Sequence, residues 1–388
     1  MNNLNRFRLP GQEKKYSQEP RNKAFAVIVK TKQGASFLEE SLAEMRELVS
    51  AANVQWMGHV FANVPDPSPR YFLREGKLTE ARNEAKRLGA NVLIFNIELS
   101  PGQVSNIEVF AGIPAVDRTG LILEIFARRA KTKEGKLQVE LAQLSYSLPR
   151  IGGLGVVMTR AGGGKGTRGG GGEQELERDR RKVRLRIQRV KEELKDVKQH
   201  RELIRAGRKR KRFFTAALVG YTNAGKSTLL NSLTGADSYV ENKMFATLDP
   251  VARVESINGR DDVLFIDTVG FLRDLPHALV ESFHATLEEV AEADVLIHVL
   301  DVSHSKAKSY KESVEKVLKE IGAGEKTTLL ALNKADLLKD EEKRMLQSEW
   351  PDGVLISAKD KLGLNSLLAK LEIVMAQSPT PLPSEPKF

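Results

Sequence analysis

Apolar residues recur along this chain in distinct rhythms, and each rhythm predicts a different kind of element. Ala24–Val29 (AFAVIV) is a short unbroken apolar run, the pattern of a strand buried on both faces of a parallel sheet. Leu38, Leu42, Met45 and Val49 then fall at steps of 4, 3 and 4, which is one face of a helix. Val54–Phe61 and Asn91–Phe95 repeat the strand pattern, with a helix over Leu78–Leu88 between them. Residues 24–118 therefore read as a small α/β domain with a parallel sheet, preceded by a frayed basic leader over 1–23.

From Thr119 the period changes. Ala130, Leu137, Leu141, Leu144 and Leu148 stand at steps of 7, 4, 3 and 4, which predicts one long helix with an apolar seam. Leu176, Val183, Ile187, Val190, Leu194, Val197 and Ile204 give a matching seam on a second helix. An antiparallel helical hairpin over 119–207 follows. Between the helices lies Ile151–Gly172, in which 11 of 22 residues are glycine, interspersed with basic residues that include Lys165 and Arg168. Such a stretch is entropically costly to order and is expected to be mobile in the free protein. A connection between helices needs only about 2–8 residues, so its length points to a basic probe for a crowded RNA site as much as to a flexible link.

The chain has 388 residues and a formal charge of +10, and the excess is not spread evenly. Residues 150–212 hold 21 Lys and Arg against 8 Asp and Glu, a net +13, which leaves −3 for the remainder. Concentration of this kind suits a polyanionic partner through counterion release; the alternative is a solvated helix face. With no cysteine, thiol chemistry, disulfides and Cys-ligated metals are excluded. None of the six histidines, His277 and His284 among them, makes a zinc spacing. No apolar run approaches the ~18 residues that would span a bilayer, and the first 23 residues lack a signal-peptide core. A cytoplasmic protein without a membrane partner is expected.

After the strand Thr215–Val219 comes Gly220-Tyr221-Thr222-Asn223-Ala224-Gly225-Lys226-Ser227, the G-x-x-x-x-G-K-[ST] phosphate loop, and then a helix over Ser227–Leu233 that begins with Ser227 and Thr228. Glycines let backbone N–H groups turn toward a β-phosphate, Lys226 neutralises β- and γ-oxygens, and the Ser227 hydroxyl suits Mg²⁺. Asp267-Thr268-Val269-Gly270 ends the strand Val263–Ile266, which places Asp267 near the metal and the Gly270 amide near the γ-phosphate. Phe245-Ala246-Thr247-Leu248-Asp249 offers Thr247 as a second hydroxyl for the same Mg²⁺. Asn333-Lys334-Ala335-Asp336 follows the strand Thr328–Leu332; Asp336 can accept from guanine N1 and N2, and the Lys334 stem can cover the base. Ser357-Ala358-Lys359 follows Val354–Ile356 and offers a backbone donor to guanine O6. These five motifs, four of them after a predicted strand, define a doubly wound, mostly parallel P-loop G domain over 208–377 that binds GTP and GDP with Mg²⁺ and hydrolyses GTP. Lys226, Thr247 and Gly270 are the candidate catalytic residues. Phe271 stands where many G proteins use a water-orienting glutamine. Asn223 is either a K⁺ ligand beside the phosphates or a turn-forming asparagine.

These motifs, with DRTGLILEIFARRAKTKEGKLQVELAQLSYSLPR at 117–150, GTRGGGGEQELERDRR at 166–181 and DTVGFLRDLPHALVESFHATLEEV at 267–290, resemble those of the HflX family of translation-associated GTPases. The resemblance implies a monomer that binds the large ribosomal subunit and helps split ribosomes in its GTP state. It also implies that the hairpin tip lies near the peptidyl transferase centre, with Lys165, Arg168, Arg180 and Arg181 toward rRNA. Gly170 replaces a proline usual in that family's loop, and Glu173–Glu177 is shifted; the loop should be more flexible for it. A final helix over Leu364–Gln377 is followed here by a Pro-rich tail, 378–388. Two further readings stay open: a role in large-subunit biogenesis, and an N-terminal domain that is a second nucleotide-binding or enzymatic module.

Overall fold

The computed structural model describes residues 22–31, 38–151, 171–211, 213–235, 244–245, 247–257, 261–271 and 284–377. The chain divides into two units, residues 1–198 with 276–282, and residues 199–275 with 283–388.

In the first unit, β1 (Lys23–Lys30), β2 (Gln55–Asn63), β3 (Val92–Phe95) and β4 (Ala115–Val116) form a four-stranded sheet in the order β2-β1-β3-β4, parallel throughout. The helices are α1 (Leu38–Ala51), α2 (Glu75–Arg87), α3 (Pro101–Ala111) and α4 (Arg118–Arg129). Phe25, Val27 and Val29 share a core with Leu78 and Ala81 of α2 and Ile107 of α3. The alternate positions Ala24, Ala26 and Ile28 are buried as well. That burial on both faces explains why β1 is apolar without interruption.

The single long helix expected from Thr119 is two. Helix α4 ends at Arg129, Ala130 turns extended at ψ 113°, and α5 (Lys133–Ser147) restarts on Thr132, whose side chain accepts from the Gly135 N–H. The seven-residue step from Ala130 to Leu137 spans this break. Helix α4 packs with α1 and against β3 and β4. It is capped by Asp117, which is fully buried and accepts from Gly120 N (2.8 Å), Tyr146 Oη (2.6 Å), Leu99 N (3.2 Å) and Arg150 Nη2 (3.1 Å).

Helix α6 (Gly171–Lys211) carries the second seam. Leu137 and Leu144 of α5 meet Val190 of α6, with Leu141, Val183, Ile187, Leu194 and Val197 around them. Arg186 grips Glu140 with two bonds of 2.6 and 2.8 Å, and Arg180 Nε donates to the Ile151 carbonyl (3.1 Å). Earlier residues of α6 thus meet later residues of the preceding segment, so the pair is antiparallel. Most of the glycine-rich segment, with Lys165 and Arg168, lies outside the described residues.

The second unit holds a six-stranded sheet in the order β10-β9-β8-β5-β7-β6, made of β5 (Phe214–Val219), β6 (Val251–Ile257), β7 (Asp261–Asp267), β8 (Val295–Asp301), β9 (Thr328–Asn333) and β10 (Val354–Leu355). All neighbours are parallel except β6 with β7. Helices α7 (Lys226–Leu233), α8 (His284–Glu292), α9 (Ala307–Glu320), α10 (Asp340–Glu349) and α11 (Leu364–Gln377) complete it. Ala216, Leu218, Leu229, Phe265, Ile297 and Leu367 build its main core. The sheet order places the loops after β5, β7, β9 and β10 at one end, where open α/β sheets bind ligands.

Candidate nucleotide site

The loop after β5 can take only its own residues at two points. Gly220 has φ 153°, and a Cβ there would lie 2.3 Å from the Val299 carbonyl oxygen of β8. Gly225 has φ 96°, and its Cβ would lie 2.3 Å from Asn333 Nδ2. Asn223 is exposed with φ 62°, a conformation that asparagine tolerates and branched residues do not. Tyr221 and Ala224 are buried, and Thr228 is half-buried in the first turn of α7. Lys226 is buried, and its Nζ donates to the carbonyls of Gly220 (3.1 Å) and Tyr221 (2.9 Å). Burial lowers its pKa to about 8, against the opposing pull of Asp267. An ammonium so placed curls over the loop that a phosphate chain would fill.

Three oxygen ligands converge beside it. Ser227 Oγ donates to Asp267 Oδ2 at 2.6 Å and lies 2.8 Å from Thr247 Oγ1. Asp267 is 1% exposed, and burial raises its pKa against Lys226, Ser227, Thr247 and the Thr268 amide, which lower it. Its second oxygen, Oδ1, is buried without a hydrogen-bond partner among the described residues. Two hydroxyls and one carboxylate with an unsatisfied oxygen fit a hard, oxygen-seeking cation such as Mg²⁺. Phe245 and Leu248 are buried, Phe245 with φ 54°, and Asp249 is half-buried. Ala246 lies outside the described residues.

The Asp267–Gly270 segment closes onto the loop. Thr268 Oγ1 donates to the Leu218 carbonyl at 2.7 Å. Val269 is buried. A Cβ at Gly270 would stand 2.8 Å from Thr222 Cα and 3.0 Å from Lys226 Nζ, so glycine alone fits. Phe271 is 3% exposed and tied at both backbone groups, its N–H to Gly220 O (3.1 Å) and its carbonyl to Thr222 N (2.8 Å).

At the base-binding end, Asn333 acts as a brace. Its Nδ2 donates to the Ala224 carbonyl (2.8 Å), and its Oδ1 accepts from the Ala358 N–H (2.9 Å), joining the phosphate loop to the Ser357–Lys359 loop. The Ala358 amide is therefore engaged within the protein. Lys334 has φ 65° and pairs with Asp301 at 2.6 Å. Ala335 N donates to Ile356 O, and the Asp336 side chain is exposed. Ser357 Oγ lies 3.2 Å from Asp360 Oδ2, and Lys359 is exposed. Three contributors carried no motif: Asp301, Ser232, which donates to the Ala358 carbonyl, and Tyr310, stacked on Tyr221 at 4.2 Å. Of these, only Asp301 left a trace, as the acid that ends the apolar run of β8.

Of the four expected RNA-facing residues, two are described. Arg181 is exposed, whereas the Arg180 guanidinium is committed to the Ile151 carbonyl.

Comparison with known proteins agrees with this arrangement. Three family descriptions match in succession: GTP-binding GTPase N-terminal over 39–127, GTP-binding GTPase Middle Region over 129–208, and 50S ribosome-binding GTPase over 215–334. The GTPase HflX of Caldanaerobacter subterraneus subsp. tengcongensis is 47% identical over 334 residues, 86% of this chain and 77% of that protein. The GTPase HflX of Escherichia coli strain K12 is 43% identical over 334 residues, 86% of this chain and 78% of that protein. The crystal structure of SsGBP in complex with GDP superposes with a TM-score of 0.51 at 30% identity, covering 92% of this chain and 99% of that one. P-loop GTPases of this kind generally use Mg²⁺, and with the cleft just described and relatives so similar over most of its length, the chain belongs to the HflX family of GTPases and hydrolyses GTP.

Proposed function

We propose that this chain is a GTP-controlled factor of the large ribosomal subunit that promotes separation of ribosomes into subunits. The supporting observation is that the whole positive excess lies within residues 150–212, in a chain whose G-domain family is described as 50S ribosome-binding. Counterion release gives such a segment affinity for rRNA, and the glycine-rich stretch with Lys165 and Arg168 brings little bulk to a crowded site. The factor acts as a monomer, in the cytoplasm, on ribosomes.

In this reading Lys226 and the amides of Gly225 to Thr228 hold the phosphates, Ser227, Thr247 and Asp267 hold Mg²⁺, and the Gly270 amide meets the γ-phosphoryl group. Mg²⁺ bound there would supply neutralisation of the phosphate charge. Asp336 selects guanine, with Lys334 over the base and Asn333 holding the two loops in register. Asn223 binds K⁺ beside the phosphates, so hydrolysis is expected to run faster in KCl than in NaCl; equal rates dismiss the K⁺ role. Lys226→Ala should abolish nucleotide binding.

Sedimentation of purified ribosomes with the full chain and GTP tests the function. Loss of the intact-ribosome peak is expected with the native chain and not with one lacking residues 162–172, which should still bind GTP. Binding to free large subunits without splitting would move the role to subunit maturation.

A further inference from the structure

Hydrolysis needs a polar group that fixes the attacking water, and the side chain at position 271 is a buried phenyl ring whose backbone is bonded to the phosphate loop. Two buried side-chain oxygens in this cleft have no hydrogen-bond partner among the described residues: Asp267 Oδ1 and Thr222 Oγ1. The first lies in the oxygen cluster suited to the metal. The second is unused by the roles assigned above.

Thr222 is 6% exposed, and its N–H is held by the Phe271 carbonyl, so its side chain has a fixed base. A Cβ placed on Gly270 would stand 2.8 Å from Thr222 Cα, 2.8 Å from Thr222 Cγ2 and 3.0 Å from Lys226 Nζ. Thr222, the glycine that closes over the γ-phosphoryl position and the lysine ammonium therefore meet at one point. A buried hydroxyl without a partner is destabilising, and the destabilisation is relieved when a ligand completes the bond.

We infer that Thr222 is a catalytic residue of the GTPase reaction, its hydroxyl holding the attacking water against the γ-phosphoryl group in place of the side chain that Phe271 cannot supply. The water oxygen forms the new bond to Pγ. The bond from Pγ to the β-bridging oxygen breaks, its electron pair stays on GDP, and the water proton leaves with inorganic phosphate. Thr222 Oγ1 accepts a hydrogen bond from the water, donates its own to a γ-oxygen, and is unchanged at the end. The inference rests on GTP hydrolysis and is independent of the ribosome reading.

The test uses the full chain with Thr222→Val, which removes the hydroxyl at nearly constant shape, and Thr222→Ser, which keeps it. Single-turnover GTP hydrolysis, GDP affinity and the gain in GDP affinity on adding aluminium fluoride, a mimic of the transferring phosphoryl group, are measured for each. Thr222→Val should hydrolyse GTP about 10²-fold more slowly, bind GDP as the native chain does, and lose the aluminium fluoride gain. Thr222→Ser should restore both. If valine disturbs the loop, seen as lost GDP affinity, Thr222→Ala removes the same hydroxyl with less bulk. A native rate and an intact aluminium fluoride gain in either variant that binds GDP overturn the inference.

Discussion

Single positions in the cleft owe their identity to contacts that leave one chemical choice. Gly270 has Thr222 Cα on one side and Lys226 Nζ on another, so Gly270→Ala must displace either the phosphate loop or the segment itself. A loss of GTP hydrolysis of at least about tenfold is expected, read in single-turnover assays, because misplacement by about 1 Å is enough. His298 of β8 makes a second, separate prediction. It is 2% exposed, its Nε2 has no partner among the described residues, and burial, then Lys311 and Lys226, lowers its pKa to about 3. The folded protein therefore resists protonation there while the unfolded chain accepts it at the ordinary value. Stability from this residue is present above pH ~6.5 and is lost toward pH ~3 at up to about 1.4 kcal/mol per pH unit. His298→Phe should flatten the acid limb of a stability-versus-pH curve; an unchanged slope would count against the buried neutral histidine. The residues of the cleft were legible in the sequence because phosphate chemistry fixes their spacing. The brace made by Asn333, the occupied amide of Ala358 and the Tyr221–Tyr310 stack were not, since each depends on a partner far away in the chain.

Among the elements, strands were easier to read than helix ends. The apolar runs at Ala24–Val29 and Thr215–Val219 lie in β1 and β5 nearly residue for residue, because a strand covered on both faces excludes polar positions. The break between α4 and α5 was hidden because apolar steps of 7 and 4 fit one helix as well as two. Its signal was Thr132, three residues before Gly135, a cap rather than a helix interior residue. Thr132→Ala should lower the stability of the first unit by about 1 kcal/mol, read from the urea midpoint. Leu144→Ala, which empties a site packed between α5 and α6, should cost about 2–5 kcal/mol on the same measurement. A smaller loss at Leu144 than at Thr132 would mean that the apolar seam does not hold the helix pair together.

For the whole molecule, the two themes are a neutral-to-acidic majority and one basic stretch. Residues 150–212 carry +13 and the remainder −3, so the proposed association with rRNA should weaken steeply with salt, each phosphate contact adding about 0.7–0.9 to the slope of log affinity against log salt. Removing Arg181 should lower that slope by roughly one contact, whereas removing Arg180, committed to the Ile151 carbonyl, should lower it less. Nucleotide control of this association is the centre of the account. It is tested most directly by the dissociation constant of the full chain for purified large subunits, at one fixed salt, with a non-hydrolysable GTP analogue and with GDP. Affinity at least about tenfold tighter with the analogue is predicted, a coupling of about 1.4 kcal/mol. The same affinity with either nucleotide would contradict it.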